Sequence, residues 1–113
     1  MVGAGPAGCA AATTLARAGL DTVVVDKARF PRDKVCGDGL TTGALRLLES
    51  LGLDPSDVAS WTDTDTCWLR SPSGRTIRYE LPRGKGRYMA IATRLDLDAA
   101  LVDVTRKAGA DVL

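Results

Sequence analysis

The pattern of apolar and polar positions predicts alternating helices and strands in the first half of the chain. An alanine-rich apolar run over residues 6–18 predicts a helix, which Gly19 can end as the residue after the last turn. The short, valine-rich run at 21–26 predicts a strand. A second helix is predicted from the threonine pair at 41–42 to about Leu51, because leucines recur on one of its faces and a threonine can cap its start.

The second half of the chain has the pattern of a hairpin followed by a third helix. Residues 67–70 and 75–81 predict two strands, since the intervening Ser-Pro-Ser-Gly suits a type I turn. Residues 83–92 are predicted to form a loop or an edge strand. Apolar residues recur on one face over 94–108 and predict a helix, and residues 110–113 predict a further strand.

A glycine pattern, Gly3-x-Gly5-x-x-Gly8, opens the first predicted helix. Gly3 permits a tight turn, Gly5 leaves room for a pyrophosphate, and Gly8 allows close packing of the helix on the sheet. The helix start itself favours an anion. Asp26 ends the next strand near the usual spacing of about 20 residues, where its carboxylate can accept hydrogen bonds from a ribose. The pattern predicts an adenine dinucleotide site, with an empty structural βαβ unit as the alternative.

The predicted order of elements is β-α-β, helix, hairpin, helix, β, with an ordered loop at 27–40 and an acidic, turn-rich stretch at 53–66. This order predicts an α/β fold: a Rossmann-like βαβ unit with an inserted helix and β-hairpin. Simple NAD-dependent dehydrogenases return to the sheet much sooner. The long insertion between the second and the last predicted strand of the sheet therefore favours FAD over NAD as the bound dinucleotide.

Composition narrows the remaining function classes. The 113 residues are 45% hydrophobic and 26% charged, which fits one globular domain at most. Three widely spaced cysteines argue against a disulfide framework and a zinc site, and they favour a reducing cytoplasm. The chain has no histidine, so we expect no metal site and no Ser–His or Cys–His pair. No run of 18 apolar residues predicts a membrane span.

The net charge of +1 implies no particular partner, but the charges are unevenly distributed. Residues 70–94 carry seven basic residues and one acid, Glu80. No nucleic-acid-binding module is recognised there, so we expect no nucleic-acid partner. The basic stretch is interpreted as a solvated hairpin face or as a wall that meets a phosphate-bearing ligand.

The loop after the second strand contains a second group of candidate residues. The tripeptide Gly37-Asp38-Gly39 allows the backbone to approach a flat ligand closely, and Arg32 and Lys34 add positive charge beside it. Cys36 lies where the chain turns back toward the predicted dinucleotide. From the residues alone, an ordinary loop with a buried cysteine is an equally good interpretation.

Four segments, GAGPAG, VVVDK, FPRDKVCGDGLT and TRLDLDAALV, together resemble the geranylgeranyl reductase family of FAD-dependent oxidoreductases. The resemblance covers essentially the whole chain, and CGDGL after FPRDK is its most specific part. It implies a fold shared with aromatic hydroxylases and flavin-dependent halogenases. Carried over residue by residue, it implies an FAD site built from Gly3, Gly5, Pro6, Ala7, Gly8, Asp26, Lys27, Cys36, Gly37, Asp38, Gly39 and Arg94.

Within this implied site, Gly3 to Gly8 and Asp26 would bind the ADP half of FAD. The loop at 36–39 would lie near the flavin and the substrate tunnel, which makes Cys36 the candidate catalytic residue. Arg94 opens an R-x-x-L-D-type helix, with acids at positions 96 and 98, and would contact FAD.

The implied reaction is reduction of an isoprenoid carbon–carbon double bond, with hydride from reduced flavin and a proton to the second carbon. The implied partners are a prenyl-chain substrate of lipid, chlorophyll or quinone type and an electron donor such as NAD(P)H or ferredoxin. The implied location is the cytoplasm, with peripheral membrane contact compatible with such a substrate. A flavin-dependent monooxygenase or halogenase and a non-catalytic truncated remnant are the alternatives.

The chain departs from the family pattern in two respects. A Gly-Asp-Ala motif for the ribityl phosphate and a substrate-binding sheet are absent from the 113 residues. Only Met1 and Val2 precede Gly3, whereas a first strand normally has about five residues. We therefore expect residues 1–113 to be a partial FAD-binding domain, truncated at both ends, with weak FAD binding, marginal stability and no activity alone. Missing upstream residues or a misplaced start would explain the short first strand.

Overall fold

The described part of the chain, residues 1–81 and 88–113 of this computed structural model, contains three helices and seven short strands. The helices are α1 Pro6–Arg17, α2 Thr42–Ser50 and α3 Arg94–Lys107. The strands are β1 Val23–Val24, β2 Gly39–Leu40, β3 Thr62–Thr64, β4 Thr66–Arg70, β5 Thr76–Glu80, β6 Met89–Ile91 and β7 Asp111–Val112, and a 3-10 turn covers Pro55–Asp57. These elements confirm the predicted α/β class with its inserted helix and hairpin.

The three helices lie close to their predicted bounds because their starts are marked by local sequence. Pro6 occupies the first turn of α1, where its missing N–H costs no hydrogen bond. Thr41 caps α2 through a hydrogen bond that its Oγ1 accepts from Ala44 N at 3.4 Å. Thr93 caps α3 in the same way. Among the described residues, no helix is long and apolar enough to cross a membrane.

In the parallel layer, the strand that follows α1 lies between two other segments. On one side, Gly3 N donates to Val25 O at 2.8 Å and Val25 N donates to Met1 O at 2.9 Å. On the other side, β1 pairs in parallel with β7, with Val24 opposite Val112. The predicted strand at 21–26 is regular only over two residues, but its hydrogen bonds continue to Asp26. Because the strands are parallel, Asp26 comes to lie beside the glycine-rich turn.

Helices α1 and α3 pack closely because α1 presents small residues to its neighbour. Its buried side chains are Cys9, Ala12 and Thr13. Thr13 Oγ1 and Thr105 Oγ1 lie 3.1 Å apart in this fully buried contact, and Thr105 Oγ1 also donates to the carbonyl oxygen of Leu101 at 2.8 Å. The two hydroxyl groups therefore satisfy each other inside the core instead of remaining unpaired, which would destabilise the fold.

The second layer is an antiparallel sheet in the order β2-β6-β3. The prediction of a loop or edge strand at 83–92 is wrong where β6 forms, because β6 has strand partners on both sides. The loop prediction for 27–40 is likewise wrong at its end, where Gly39–Leu40 pairs with β6. Residues 82–87, which belong to that predicted segment and to the basic stretch at 70–94, lie outside the described residues.

The predicted hairpin is confirmed as β4 and β5, which pair with each other over five residues on each strand. Gly74 N donates to Ser71 O at 2.9 Å and closes the predicted turn. The side chains of Leu69 and Ile77 stand opposite each other and are both more than half exposed. The hairpin therefore projects from the two layers that carry the core.

Close approach of α1 to the first turn depends on two glycines. Gly3 has a φ of +97°, a conformation that glycine adopts without a Cβ penalty. A Cβ added at Gly8 would lie 1.8 Å from the carbonyl oxygen of Gly3, far inside any permitted contact. The start of α1 therefore lies directly against the strand end.

We expect Gly8→Ala to lower the free energy of unfolding by about 1–3 kcal/mol or more, because the obstructing atom is backbone and must be displaced. Gly37→Ala is the matched control, since a Cβ there meets no atom within 4 Å. Urea unfolding of the whole protein measures both changes. Equal unfolding midpoints for the two variants would contradict the close contact between Gly8 and Gly3.

Candidate dinucleotide-binding site

The glycine-rich turn presents the start of α1 to the edge of the parallel layer. Gly5 is the N-cap residue of α1, so no side chain caps this helix end. The N–H groups of a first helical turn lack partners within their helix, and the helix dipole is positive there. The turn therefore offers hydrogen-bond donors and positive potential to an anion.

The carboxylate of Asp26 ties the end of the parallel strand to this turn. Its Oδ2 accepts from Ala4 N at 2.7 Å, and its Oδ1 accepts from Ala28 N at 2.9 Å. The hydrogen bonds from Ala28 and then Ala4 lower the pKa of Asp26 below its ordinary value. Each oxygen keeps a further lone pair, so an ionised Asp26 can still accept hydrogen bonds from ribose hydroxyls.

Two arginines from distant parts of the sequence converge above Gly5. A Cβ built at Gly5 would lie 3.6 Å from Arg32 Nη2 and 3.8 Å from Arg94 Nη2. Arg32 belongs to the loop after β1, where its guanidinium also lies 4.9 Å from the centre of the Phe30 ring. Arg94 is the first residue of α3. The space over Gly5 is therefore bounded by two positive groups.

One buried carboxylate, that of Asp98, joins the two arginines. Arg94 forms a two-point hydrogen bond with it, from Nε to Oδ1 at 2.7 Å and from Nη2 to Oδ2 at 2.8 Å. Arg32 Nη1 lies 2.8 Å from Oδ2. The Asp98 side chain is 0% exposed. Its hydrogen bonds raise the pKa of Arg94 above the ordinary arginine value, so this guanidinium stays charged.

The Arg32 contact with Asp98 is an ion pair without hydrogen-bond alignment. Arg32 Nη1 is buried, yet within the described residues none of its N–H groups makes a hydrogen bond of acceptable geometry. The other terminal nitrogen of Arg32, Nη2, borders the space over Gly5 opposite Arg94 Nη2. This open space, which a Cβ at Gly5 would fill and which two cations bound, fits a diphosphate.

The loop at 36–39 reaches Arg94, one of the two arginines. Hydrogen bonds from Asp38 N and then from the Arg94 guanidinium lower the pKa of the Cys36 thiol below its ordinary value. Asp38 itself has a φ of +54°, and its carbonyl oxygen accepts from Ala92 N at 3.0 Å. The alternative of a loop with a buried cysteine is wrong for Cys36, which is exposed.

Cys9, by contrast, is the buried cysteine of the fold. Its Sγ donates to the carbonyl oxygen of Ala4 at 3.3 Å, and burial raises its pKa. Cys9 is therefore a protonated core residue.

The structure brings most of the predicted site residues to one edge. The glycine turn with Pro6 and Ala7, Asp26, the loop at 36–39 and Arg94 lie around the start of α1. Lys27 lies slightly apart, where it lines a cavity of about 330 Å³ with Asp26 and Arg32.

Two contributors were not among the predicted site residues. Arg32 was noted only as a nearby charge, and Asp98 only as an acid of its helix. The spacing of four residues between Arg94 and Asp98 is a signal for side-chain pairing on one helix face. Nothing in the local sequence marks Arg32 as the second partner, because that contact joins segments 66 residues apart.

Comparison with known proteins identifies the family of this chain. The sequence model of a family described as an FAD binding domain matches residues 1–113. The chain belongs to this FAD-binding family. FAD is therefore the cofactor. This confirms the prediction of FAD, which was drawn from the motifs and from the long insertion between the strands of the sheet.

Relatives of this FAD-binding domain include prenyl-chain and quinone reductases. A menaquinone reductase from Mycolicibacterium smegmatis is 62% identical over 64 residues, which make up 57% of this chain and 14% of that protein. A digeranylgeranylglycerophospholipid reductase from Methanopyrus kandleri is 34% identical over 113 residues, or 99% of this chain and 26% of that protein. The resemblance to the geranylgeranyl reductases is thus confirmed.

Solved structures share the fold over nearly the whole FAD-binding domain. A geranylgeranyl bacteriochlorophyll reductase-like protein from Thermoplasma acidophilum has a TM-score of 0.79 at 29% identity, covering 98% of this chain and 28% of that one. A flavin-dependent brominase has a TM-score of 0.81 at 24% identity, covering 99% of this chain and 27% of that one. The chain spans only 14–28% of the length of these four proteins.

We expect Gly5→Ala to preserve the fold and to weaken FAD binding by about tenfold or more, equivalent to about 1.4 kcal/mol. Gly5 has a φ of −76°, and its added methyl would meet both guanidinium groups at ordinary contact distance. The methyl would, however, fill the space over the turn. Gly43→Ala on α2 is the control. Flavin fluorescence titration of the whole protein measures the effect, and unchanged affinity would show that FAD does not pass over Gly5.

We expect Asp26→Asn to weaken FAD binding by about tenfold, the scale for losing a charged hydrogen bond. Because folding lowers the Asp26 pKa, the carboxylate stabilises the fold above its ordinary value of 3.8 and loses this contribution as pH falls through the lowered value. The variant should therefore show a shallower fall in stability below about pH 4.

Asp54→Asn separates the two effects of the Asp26 substitution. Hydrogen bonds from the backbone N–H and hydroxyl of Ser56 also lower the Asp54 pKa, but Asp54 caps the 3-10 turn at Pro55–Asp57. This variant should show the same kind of change in acid stability with unchanged FAD affinity. Equal FAD affinity in both variants would remove Asp26 from the site.

Proposed function

We propose that the FAD diphosphate lies over Gly5, between the Arg32 and Arg94 guanidinium groups and the start of α1. The support is the open space above Gly5, which Arg32 Nη2 and Arg94 Nη2 border at 3.6 and 3.8 Å from a Cβ position at Gly5. Asp26 would then hold the adenosine ribose, and the cavity shared by Lys27 and Arg32 lies on that side. The glycine turn with Pro6 and Ala7 would complete the ADP subsite.

The loop at 36–39 would lie on the flavin side of this subsite. Cys36 supports this placement because its exposed thiol contacts Arg94, the residue that also borders Gly5. The backbone of Gly37 and Gly39 would face the flavin ring. Cys36 would shape the site beside the flavin, where an exposed thiol of lowered pKa is held at a fixed position.

We further propose that the whole protein is an oxidoreductase that saturates a carbon–carbon double bond in an isoprenoid chain, and that menaquinone carries this chain. When bound and reduced, FAD supplies a hydride equivalent, which with one proton saturates the double bond. We choose a quinone over a phospholipid because the menaquinone reductase is 62% identical over its matched segment, whereas the digeranylgeranylglycerophospholipid reductase is 34% identical. NAD(P)H or ferredoxin would supply the electrons.

In this proposal, residues 1–113 provide the ADP-binding part of a longer flavoenzyme. The support is that the chain spans 14–28% of its relatives' length while the family match covers all of its residues. The prenyl pocket would belong to other parts of the protein, and a peripheral membrane contact would deliver a chain of this kind.

Anaerobic turnover of the whole protein tests the reaction. With FAD, a chemical reductant and menaquinone, mass spectrometry should show product heavier by two hydrogen atoms, with the added hydrogens on the isoprenoid chain. A geranylgeranylated phospholipid offered in parallel should react more slowly. A flavin-free preparation is the control.

Two outcomes would overturn this proposal. Modification of substrate only when oxygen is admitted would identify a monooxygenase or halogenase, whose fold is the same. FAD bound with no reaction toward either prenyl substrate would support a non-catalytic chain.

A further inference from the structure

Asp98 is a buried charge whose side chain has no solvent exposure. Removing a carboxylate from water is strongly unfavourable unless ion pairs and hydrogen bonds compensate it. Its compensation comes from Arg94 and Arg32, and both of these arginines border the space over Gly5. The position of this carboxylate is therefore linked to the position of the two cations.

The two arginines have the same charge and long side chains, so holding them side by side requires a compensating negative group. Their Nη2 atoms both lie within 4 Å of a Cβ position at Gly5. Two guanidinium groups this close repel each other, and each loses conformational freedom when it is fixed. One carboxylate between them removes the repulsion and holds them before any ligand arrives.

Asp98 binds the two arginines unequally. Both of its oxygens are engaged by Arg94 in a two-point contact, which fixes the plane of that guanidinium. Arg32 shares only Oδ2, without hydrogen-bond alignment. Arg94 is thus fixed in orientation by two contacts, while Arg32 is held by one contact through Nη1 and directs Nη2 to the space over Gly5.

We propose that Asp98 is a positioning residue for the cofactor. It fixes the orientation of Arg94 and keeps Arg32 beside the space that the FAD diphosphate would occupy. This inference rests on the proposed placement of the diphosphate over Gly5. The bound diphosphate would accept from Arg32 Nη2, while Asp98 remains paired with Arg94 and with Arg32 Nη1.

The direction in which one substitution changes FAD affinity distinguishes a positioning role from a purely electrostatic one. Asp98→Asn removes a negative charge beside an anion site, so a purely electrostatic effect would strengthen FAD binding. Loss of positioning would weaken it. We expect the apparent dissociation constant for FAD to rise about tenfold, mainly through faster dissociation, as expected when pre-organised charged hydrogen bonds are lost.

Asp96→Asn is the matched control for this charge change. Asp96 lies in the first turn of α3, two residues before Asp98, and its carboxylate accepts from Thr93 Oγ1 at 3.2 Å. This variant should leave FAD affinity unchanged. Asp98→Glu keeps the charge but displaces the carboxylate by one methylene, so it should weaken FAD binding as Asp98→Asn does.

A double-mutant cycle with Arg32→Gln supplies a measurement that a merely structural role would not affect. If Asp98 acts through Arg32, Asp98→Asn should cost clearly less FAD affinity in the Arg32→Gln background than in the parent. Fluorescence titration and stopped-flow dissociation of the whole protein give the values, and circular dichroism checks the fold of each variant.

Unchanged or tighter FAD binding by Asp98→Asn, or strictly additive effects in the cycle, would overturn the inference. Failure of both Asp98 variants to fold would also overturn it, because the carboxylate would then be a requirement of the fold. A parent protein that binds no FAD would instead overturn the proposed function. The readout is FAD affinity, so the identity of the reduced substrate does not enter.

Discussion

The contact between the start of α1 and the first turn is the constraint on which the rest of the site depends. The carbonyl oxygen of Gly3 occupies the volume that any side chain at Gly8 would need. This contact brings the helix start to the carboxyl end of the parallel strand, where Asp26 receives its hydrogen bond from Ala4 N. A larger residue at Gly8 would separate the helix start from the carboxylate, and Asp26 and Gly5 would no longer share one edge.

Electrostatics then divides this edge into two regions. Near Asp26 the field is that of an ionised carboxylate with backbone donors around it. Near Gly5, Asp98 neutralises one of the two guanidinium charges, so the cluster keeps a single net positive charge. A dinucleotide has neutral hydroxyls at its ribose and negative charge at its diphosphate, and the two regions match this order along the ligand.

The sequence predicted the parts of the fold whose causes are local. The caps and apolar faces of helices α1, α2 and α3 are determined by residues close together in the sequence. The β4–β5 turn likewise depends on Pro72 and Gly74. The antiparallel sheet was missed at β6, because its central position depends on partners at Gly39–Leu40 and Thr62–Thr64. Short strands of two or three residues have too little periodicity to identify them.

The same distinction applies to the candidate site. Glycine spacing and Asp26 carry a motif with a known geometry, so both could be predicted. The burial of Asp98 could not, since a carboxylate on a helix is normally solvated and only the tertiary structure reveals that this one is enclosed. The exposure of Cys36 also depends on tertiary structure, because the turn at Asp38 directs the loop toward Arg94.

The threonine pair in the core has a mechanical consequence. Thr13 and Thr105 lock α1 to α3 at a point roughly 16 Å along α3 from Arg94, at 1.5 Å per residue. A tilt of α3 by only a few degrees about this contact would move the Arg94 end by about 1 Å, a displacement large enough to matter for a positioned group. The width of the opening above Gly5 is therefore sensitive to the packing of two small hydroxyl groups near the other end of α3.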